Sequence, residues 1–167
     1  TLRKEKGHDI LINAFKAYTE RQPAKLLLVG DGPLKSRLQQ HVESLGLKDA
    51  VVFAGTRSDV PDLLNAMDLF VFPSRNEALG IALLEAMSMK CAIVSTNAGG
   101  IKEVIRDGMD GFTKPVNDWR QLFQPLDYLL NNPKEISLFG EKARQRAEQS
   151  FSMQKMVEET GRQYYSL

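Results

Sequence analysis

Short apolar runs alternate along this chain with longer stretches in which apolar residues recur at helical spacing. The runs KLLLVG (25–30), AVVFAG (50–55), LFVFP (69–73) and AIVST (92–96) have the near-continuous apolar character of strands buried on both faces. GFTK (111–114) is a fifth, less apolar candidate. Between them the spacing predicts helices over 9–21, 34–45, 59–66, 80–89, 100–106 and 119–131, then two more over 133–150 and 152–165. Strand alternating with helix predicts an α/β fold: a Rossmann-like, doubly wound parallel sheet flanked by helices on both faces. No repeat, low-complexity linker or long charge block divides the chain, so 1–167 reads as one domain closed by a C-terminal helix over 152–167.

Composition narrows the function without changing that picture. Hydrophobic residues make up 43% of the chain, enough for a packed core. A formal net charge of +1 leaves no basic footprint for nucleic acid. The one cysteine, Cys91, lies in an apolar run and reads as a buried thiol of a reducing compartment. No run approaches the roughly 20 apolar residues of a membrane span, and no signal peptide is visible. The chain starts at Thr1 without methionine, as if cut from a longer protein. His8 and His41 lie far apart, with no His or Cys pair at zinc spacing, and there is no Asp-x-Asp triplet, so no metal site is expected. Met87 and Met89 read as core filler, and Phe151, Tyr164 and Tyr165 as packing of the last helices.

The chemistry gathers where strands end. VGDGPL, FAGTRSD, FPSRNEALG and STNAGGIKE each follow a strand and precede a helix, and in an open α/β sheet such turns form the ligand-binding edge. In PSRNEALGIALLEAM, Glu77 falls in the loop and Glu85 in the second helical turn. The first-turn amides near Gly80, Ile81 and Ala82 lack helical acceptors. Such a helix start attracts an anion, typically phosphate, and Gly80 lets a ligand approach the backbone. A diphosphate there, with a carboxylate on each side for sugar hydroxyls, is chemically coherent. The competing reading is simpler: the helix macrodipole favours Glu77 where it is, and Glu85 is a solvated position.

The remaining turns also admit two readings. Lys6, before Gly7 and the first helix, opposes the dipole and so points to phosphate, unless it is a solvated lysine beside Glu5. Arg57 is a loop arginine or a ligand contact. Gly30 and Gly32 form a tight turn or a cleft wall. Lys35 stands where a dinucleotide fingerprint has its third glycine, and no Walker A lysine follows. Gly99 and Gly100 fit a plain turn.

Together these stretches resemble one family. KGHDILINAF, LLLVGDGPLKSRL and the run from LGLKDAVVFAG through PSRNEALGIALLEAM to DGMDGF look like the C-terminal half of a retaining GT-B glycosyltransferase. That is the glycogen-synthase-like group 1 family (family 4), whose hallmark is Glu-x7-Glu. The resemblance covers nearly the whole chain. It implies a nucleotide-sugar donor domain, with the acceptor glycan or lipid held by an N-terminal domain that, with the first strand, lies outside this sequence. It implies that Lys6 contacts the donor diphosphate, Glu77 the sugar hydroxyls and Glu85 the ribose. Amides of Gly80, Ile81 and Ala82 would hold phosphate and sugar, Arg57 would line the base pocket, and Gly30 and Gly32 the cleft wall. No cofactor or metal is implied, and the location implied is cytoplasmic or peripheral at the inner membrane face.

Two departures stand out. Thr1 occupies the place of an arginine in the family's Gly-Arg-Leu turn, with Arg3 as the nearby substitute. Lys90 and Cys91 follow the signature helix where a small pair is usual, which predicts a weakened left-handed cap. A nucleotide-binding module without chemistry, or a nucleotide-sugar epimerase on a related scaffold, are the competing functions; the Glu-x7-Glu spacing favours the transferase.

Overall fold

The computed structural model describes residues 1–165, with the side chains of residues 163 and 165 excepted. Five strands alternate with helices: β1 (Leu26–Val29), β2 (Val51–Gly55), β3 (Leu69–Phe72), β4 (Ala92–Thr96) and β5 (Phe112–Lys114). The helices are α1 (His8–Thr19), α2 (Lys35–Ser44), α3 (Val60–Asn65), α4 (Ile81–Ser88), α5 (Ile101–Val104), α6 (Trp119–Leu130), α7 (Pro133–Phe151) and α8 (Met153–Tyr165). Each predicted element is present, and all strand pairs are parallel.

β4 explains why helices cover both faces. It is buried along its whole length, and its side chains alternate between two cores. Ile93 packs with Leu83, Met87, Ile101 and Val104 from α4 and α5, and with Ala143 of α7. Ala92 and Val94 face Ile10 and Ala14 of α1 and Leu122 and Leu129 of α6. A third cluster joins Leu28 and Val51 of β1 and β2 to Leu11 and Phe15 of α1 and Leu38 and Val42 of α2. Cys91 lies in the first core with its Sγ 3.3 Å from the Leu64 carbonyl oxygen, and burial pushes its thiol pKa up to about 11.

The sheet differs from a continuous ladder. β1 pairs only with β2, and β3, β4 and β5 form a separate ladder in that order. Side chains of both ladders meet in the third cluster, where Leu69 and Val71 of β3 pack with Leu28. The segment 1–7 spans the two. Leu2, fully buried, donates its N–H to the Asp31 carbonyl beyond β1 (2.9 Å) and accepts from Leu34 (3.1 Å). Two residues on, a 3-10 turn over Lys4–Lys6 lies against the loop beyond β3, where Arg75 N–H donates to the Glu5 carbonyl (2.7 Å). Nothing in the hydrophobic pattern signals that turn, which buries no residue.

Three expectations need correction. α5 stops at Val104 because Ile105 turns extended, and Arg106 closes a turn on the fully buried Asp110 through its N–H (2.8 Å) and guanidinium (2.5 Å). Tyr164 does not pack: it is 74% exposed, whereas Phe151 packs against the first core. The side chain of Tyr165 lies outside the described residues.

The third correction concerns the end of α4. The left-handed cap forms in full: Lys90 itself adopts φ +62°. Its N–H donates to the Met87 carbonyl and that of Cys91 to Ala86, both at 3.0 Å, the paired bonds of a Schellman motif. A residue with a Cβ carries strain there. Lys90→Gly should therefore raise stability by about 1 kcal/mol, read as a higher urea midpoint; a lower midpoint would mean that the exposed ion pair to Glu141 (2.7 Å) outweighs the strain.

Candidate donor site

The site is built where β3 ends. After Phe72, Pro73 and Ser74 are buried, and the chain loops out through Glu77 to Gly80, which caps α4 with φ +78° and no side-chain cap. The helix thus starts with its Ile81 and Ala82 amides outside the helical hydrogen-bond ladder and both residues exposed. Glu77 comes back beside this start: its Cγ is 3.5 Å from where a Gly80 Cβ would stand. Lys6 reaches the same point from the 3-10 turn. Its Nζ lies 2.5 Å from Glu77 Oε2 and 5.6 Å from the centre of the Phe72 ring. The pair is largely shielded, with side-chain exposures of 29% and 14%. Ser74 Oγ donates to the same carboxylate oxygen at 3.4 Å.

Two close backbone approaches fix this corner. Gly7, at φ +64°, lets the chain lie so tightly against Pro73 that a Cβ would overlap the Pro73 carbonyl oxygen. Gly99 and Gly100, beyond β4, approach the carbonyls of Glu77 and Ala78 as closely, and Gly100 N–H donates to the Glu77 carbonyl (3.0 Å). The turn at 99–100 is therefore the floor under the Glu77 loop, a role its spacing did not reveal.

The structure thus brings together Lys6, Glu77, Gly80, Ile81 and Ala82. Glu85, exposed in the second turn of α4, lies on the same helix. Arg57 is engaged locally: its guanidinium grips Asp59 through two bonds, 2.8 and 2.6 Å, and holds that carboxyl below its ordinary pKa. Gly30 and Gly32 lie beyond β1 and seat the Thr1–Leu2 backbone, Gly32 directly against Leu2. Arg3 is exposed.

Sequence reasoning missed the polar contacts behind the pair. Arg75 binds Asp9 through both carboxylate oxygens (2.8 and 2.7 Å), the Lys4 carbonyl (2.8 Å) and Asn117 Oδ1 (2.6 Å). The Arg75 hydrogen bond is the main reason that Asp9 titrates below its ordinary value. No local signal links residues 66 apart. His8, next to Gly7, has its Nδ1 buried without a partner, and burial brings its pKa down to about 4, so it is neutral at pH 7. Among the described residues no three His, Cys, Asp or Glu side chains gather as a metal cage, and no helix is long and apolar enough to cross a membrane.

The family model for glycosyl transferases group 1 matches residues 1–146. N-acetyl-alpha-D-glucosaminyl L-malate synthase of Bacillus anthracis is 34% identical over 165 residues, 99% of this chain and 43% of that relative. The chain thus spans less than half the length of this relative. Among solved structures, Anabaena Alr3699/HepE in complex with UDP and glucose superposes with a TM-score of 0.89 at 28% identity, covering 99% of this chain and 46% of that one. The C-terminal domain of the group 1 protein LpcC from Francisella tularensis gives 0.84 at 26% identity, covering 91% of this chain and 83% of that one. The expected α/β architecture is therefore that of the GT-B glycosyltransferases, and the chain belongs to the group 1 glycosyl transferases.

Proposed function

We propose that this domain is the donor-binding half of a glycosyltransferase that moves a sugar from a nucleoside-diphosphate sugar to an acceptor hydroxyl with retention of configuration. The observation that carries the reading is the Lys6–Glu77 pair beside the uncapped start of α4. Departure of the diphosphate is the demanding step, because negative charge grows on the leaving oxygens. A cation and preorganised N–H donors aimed at that charge lower the barrier. Lys6 and the Ile81 and Ala82 amides are the groups available here. When the phosphates take Lys6, Glu77 is released to accept from sugar hydroxyls. Glu85, one turn into α4, is assigned to the ribose.

This division of labour needs no metal, and turnover of the whole enzyme is expected to survive EDTA. The acceptor, a glycan or lipid of a cell-surface polysaccharide, lipopolysaccharide or glycolipid, is assigned to an N-terminal domain on the cytoplasmic side of the membrane. The domain alone is expected to bind donor without transferring sugar.

Calorimetric titration with UDP, GDP and ADP, in EDTA, tests the reading: saturable binding of one of them supports it, and silence from all three in the whole enzyme removes it. In the same titration Glu85→Ala should weaken the nucleoside diphosphate and its free nucleoside alike, by roughly 10-fold, as loss of one hydrogen bond to a charged group implies. Glu85 is exposed, so the melting temperature should not move; an unchanged Kd takes Glu85 out of the site.

A further inference from the structure

Lys6 is the candidate phosphate contact, yet the turn that carries it has no buried residue. Packing flanks the turn, at the fully buried Leu2 and at Gly7 against Pro73, but the turn itself is tied down by polar contacts, and these converge on one side chain. Arg75 ties together four segments: the 3-10 turn through the Lys4 carbonyl, the first turn of α1 through Asp9, its own loop beyond β3, and the 115–118 loop through Asn117. Its backbone N–H adds a bond to the Glu5 carbonyl, so residues on both sides of Lys6, Lys4 and Glu5 before it and Asp9 after it, are held. Asn117 keeps a left-handed backbone (φ +66°) at its end of this arrangement, a conformation that asparagine tolerates better than most residues.

We propose that Arg75 is a positioning residue for donor binding: it sets Lys6 against Glu77 and has no phosphate contact of its own. This rests on the donor-site reading above. Four of the five guanidinium N–H groups are already committed to protein acceptors, which leaves little with which to grip a ligand. The bidentate geometry to Asp9 and the two further acceptors also suit a planar fork and not an ammonium.

The test is a double-mutant cycle in the whole enzyme, reading the Kd of UDP, GDP or ADP against that of the matching free nucleoside. Arg75→Met should weaken the diphosphate about 10-fold and leave the nucleoside within 2-fold, and Arg75→Lys should fail to rescue. With Lys6→Ala already in place, Arg75→Met should cost nothing more, because its effect runs through Lys6. Asp9→Asn, a milder change that keeps the fold, should give a smaller loss that also vanishes without Lys6. Equal losses with and without Lys6, or equal losses for diphosphate and nucleoside, overturn the positioning role. If Lys6→Ala alone costs nothing, the donor-site reading itself fails, and Arg75 has nothing to position.

Discussion

Lys6→Ala should weaken binding of the nucleoside diphosphate by roughly 100-fold and leave the free nucleoside nearly untouched. A hydrogen bond to a charged group contributes about 1.5–3 kcal/mol, and roughly 1.4 kcal/mol is a factor of ten. A second effect adds to the first. Glu77, only 14% exposed at its side chain, loses its partner and leaves a bare carboxylate beside the incoming phosphates. The single substitution thus removes an attraction and uncovers a repulsion. That separates the two contributions experimentally: adding Glu77→Gln to Lys6→Ala should recover part of the lost phosphate affinity. Isothermal titration with the diphosphate and the nucleoside reads both. Equal losses for the two ligands would contradict a phosphate role for Lys6.

Gly7→Ala should be strongly damaging to the fold at this corner. The φ of +64° costs an alanine about 1–2 kcal/mol. The new Cβ also overlaps the Pro73 carbonyl, and moving the two backbones apart adds about 1–3 kcal/mol more. A total near 3 kcal/mol corresponds to a fall of roughly 6–12 °C in melting temperature for a domain of this size. Gly108→Ala is the matched control. Its φ is +72°, but nothing lies within 4 Å, so only the conformational strain should appear. Similar melting temperatures for the two variants would show that the contact with Pro73 yields easily.

What the sequence made legible follows from where the signal is local. β4 falls at 92–96 as predicted, because a strand buried on both faces writes its apolar run directly into the chain; the neighbouring strands match within a residue or so, although β2 leaves Val52 half exposed. The amide-bearing helix start after Gly80 was legible for the same reason: loop, glycine and helix are contiguous. The Lys6–Glu77 contact was not, since it joins residues 71 apart; the family resemblance assigned the two residues to different parts of the donor and did not pair them. Arg75 and Asp9 each have an ordinary local explanation, a loop cation and a first-turn acid, and that masks their partnership. Lys90 misled in the opposite sense. Propensity argues against a left-handed lysine, but packing of its carbonyl against Gly140 of α7 fixes the backbone there.

Between β1 and β3 the sheet carries no ladder hydrogen bonds, and the two ladders communicate through side chains and through the segment 1–7. Cooperative opening is expected to follow that seam, with the domain behaving as two foldons and not one, which hydrogen exchange of β1 and β2 against β4 would read. Amides of β1 and β2 can exchange with solvent in events that leave β3, β4 and β5 closed. A donor gripped by Lys6 from the bridging segment and by the α4 start from the second ladder would link the two units energetically. Its occupancy would then register as tighter coupling between their opening, beyond a uniform rise in protection.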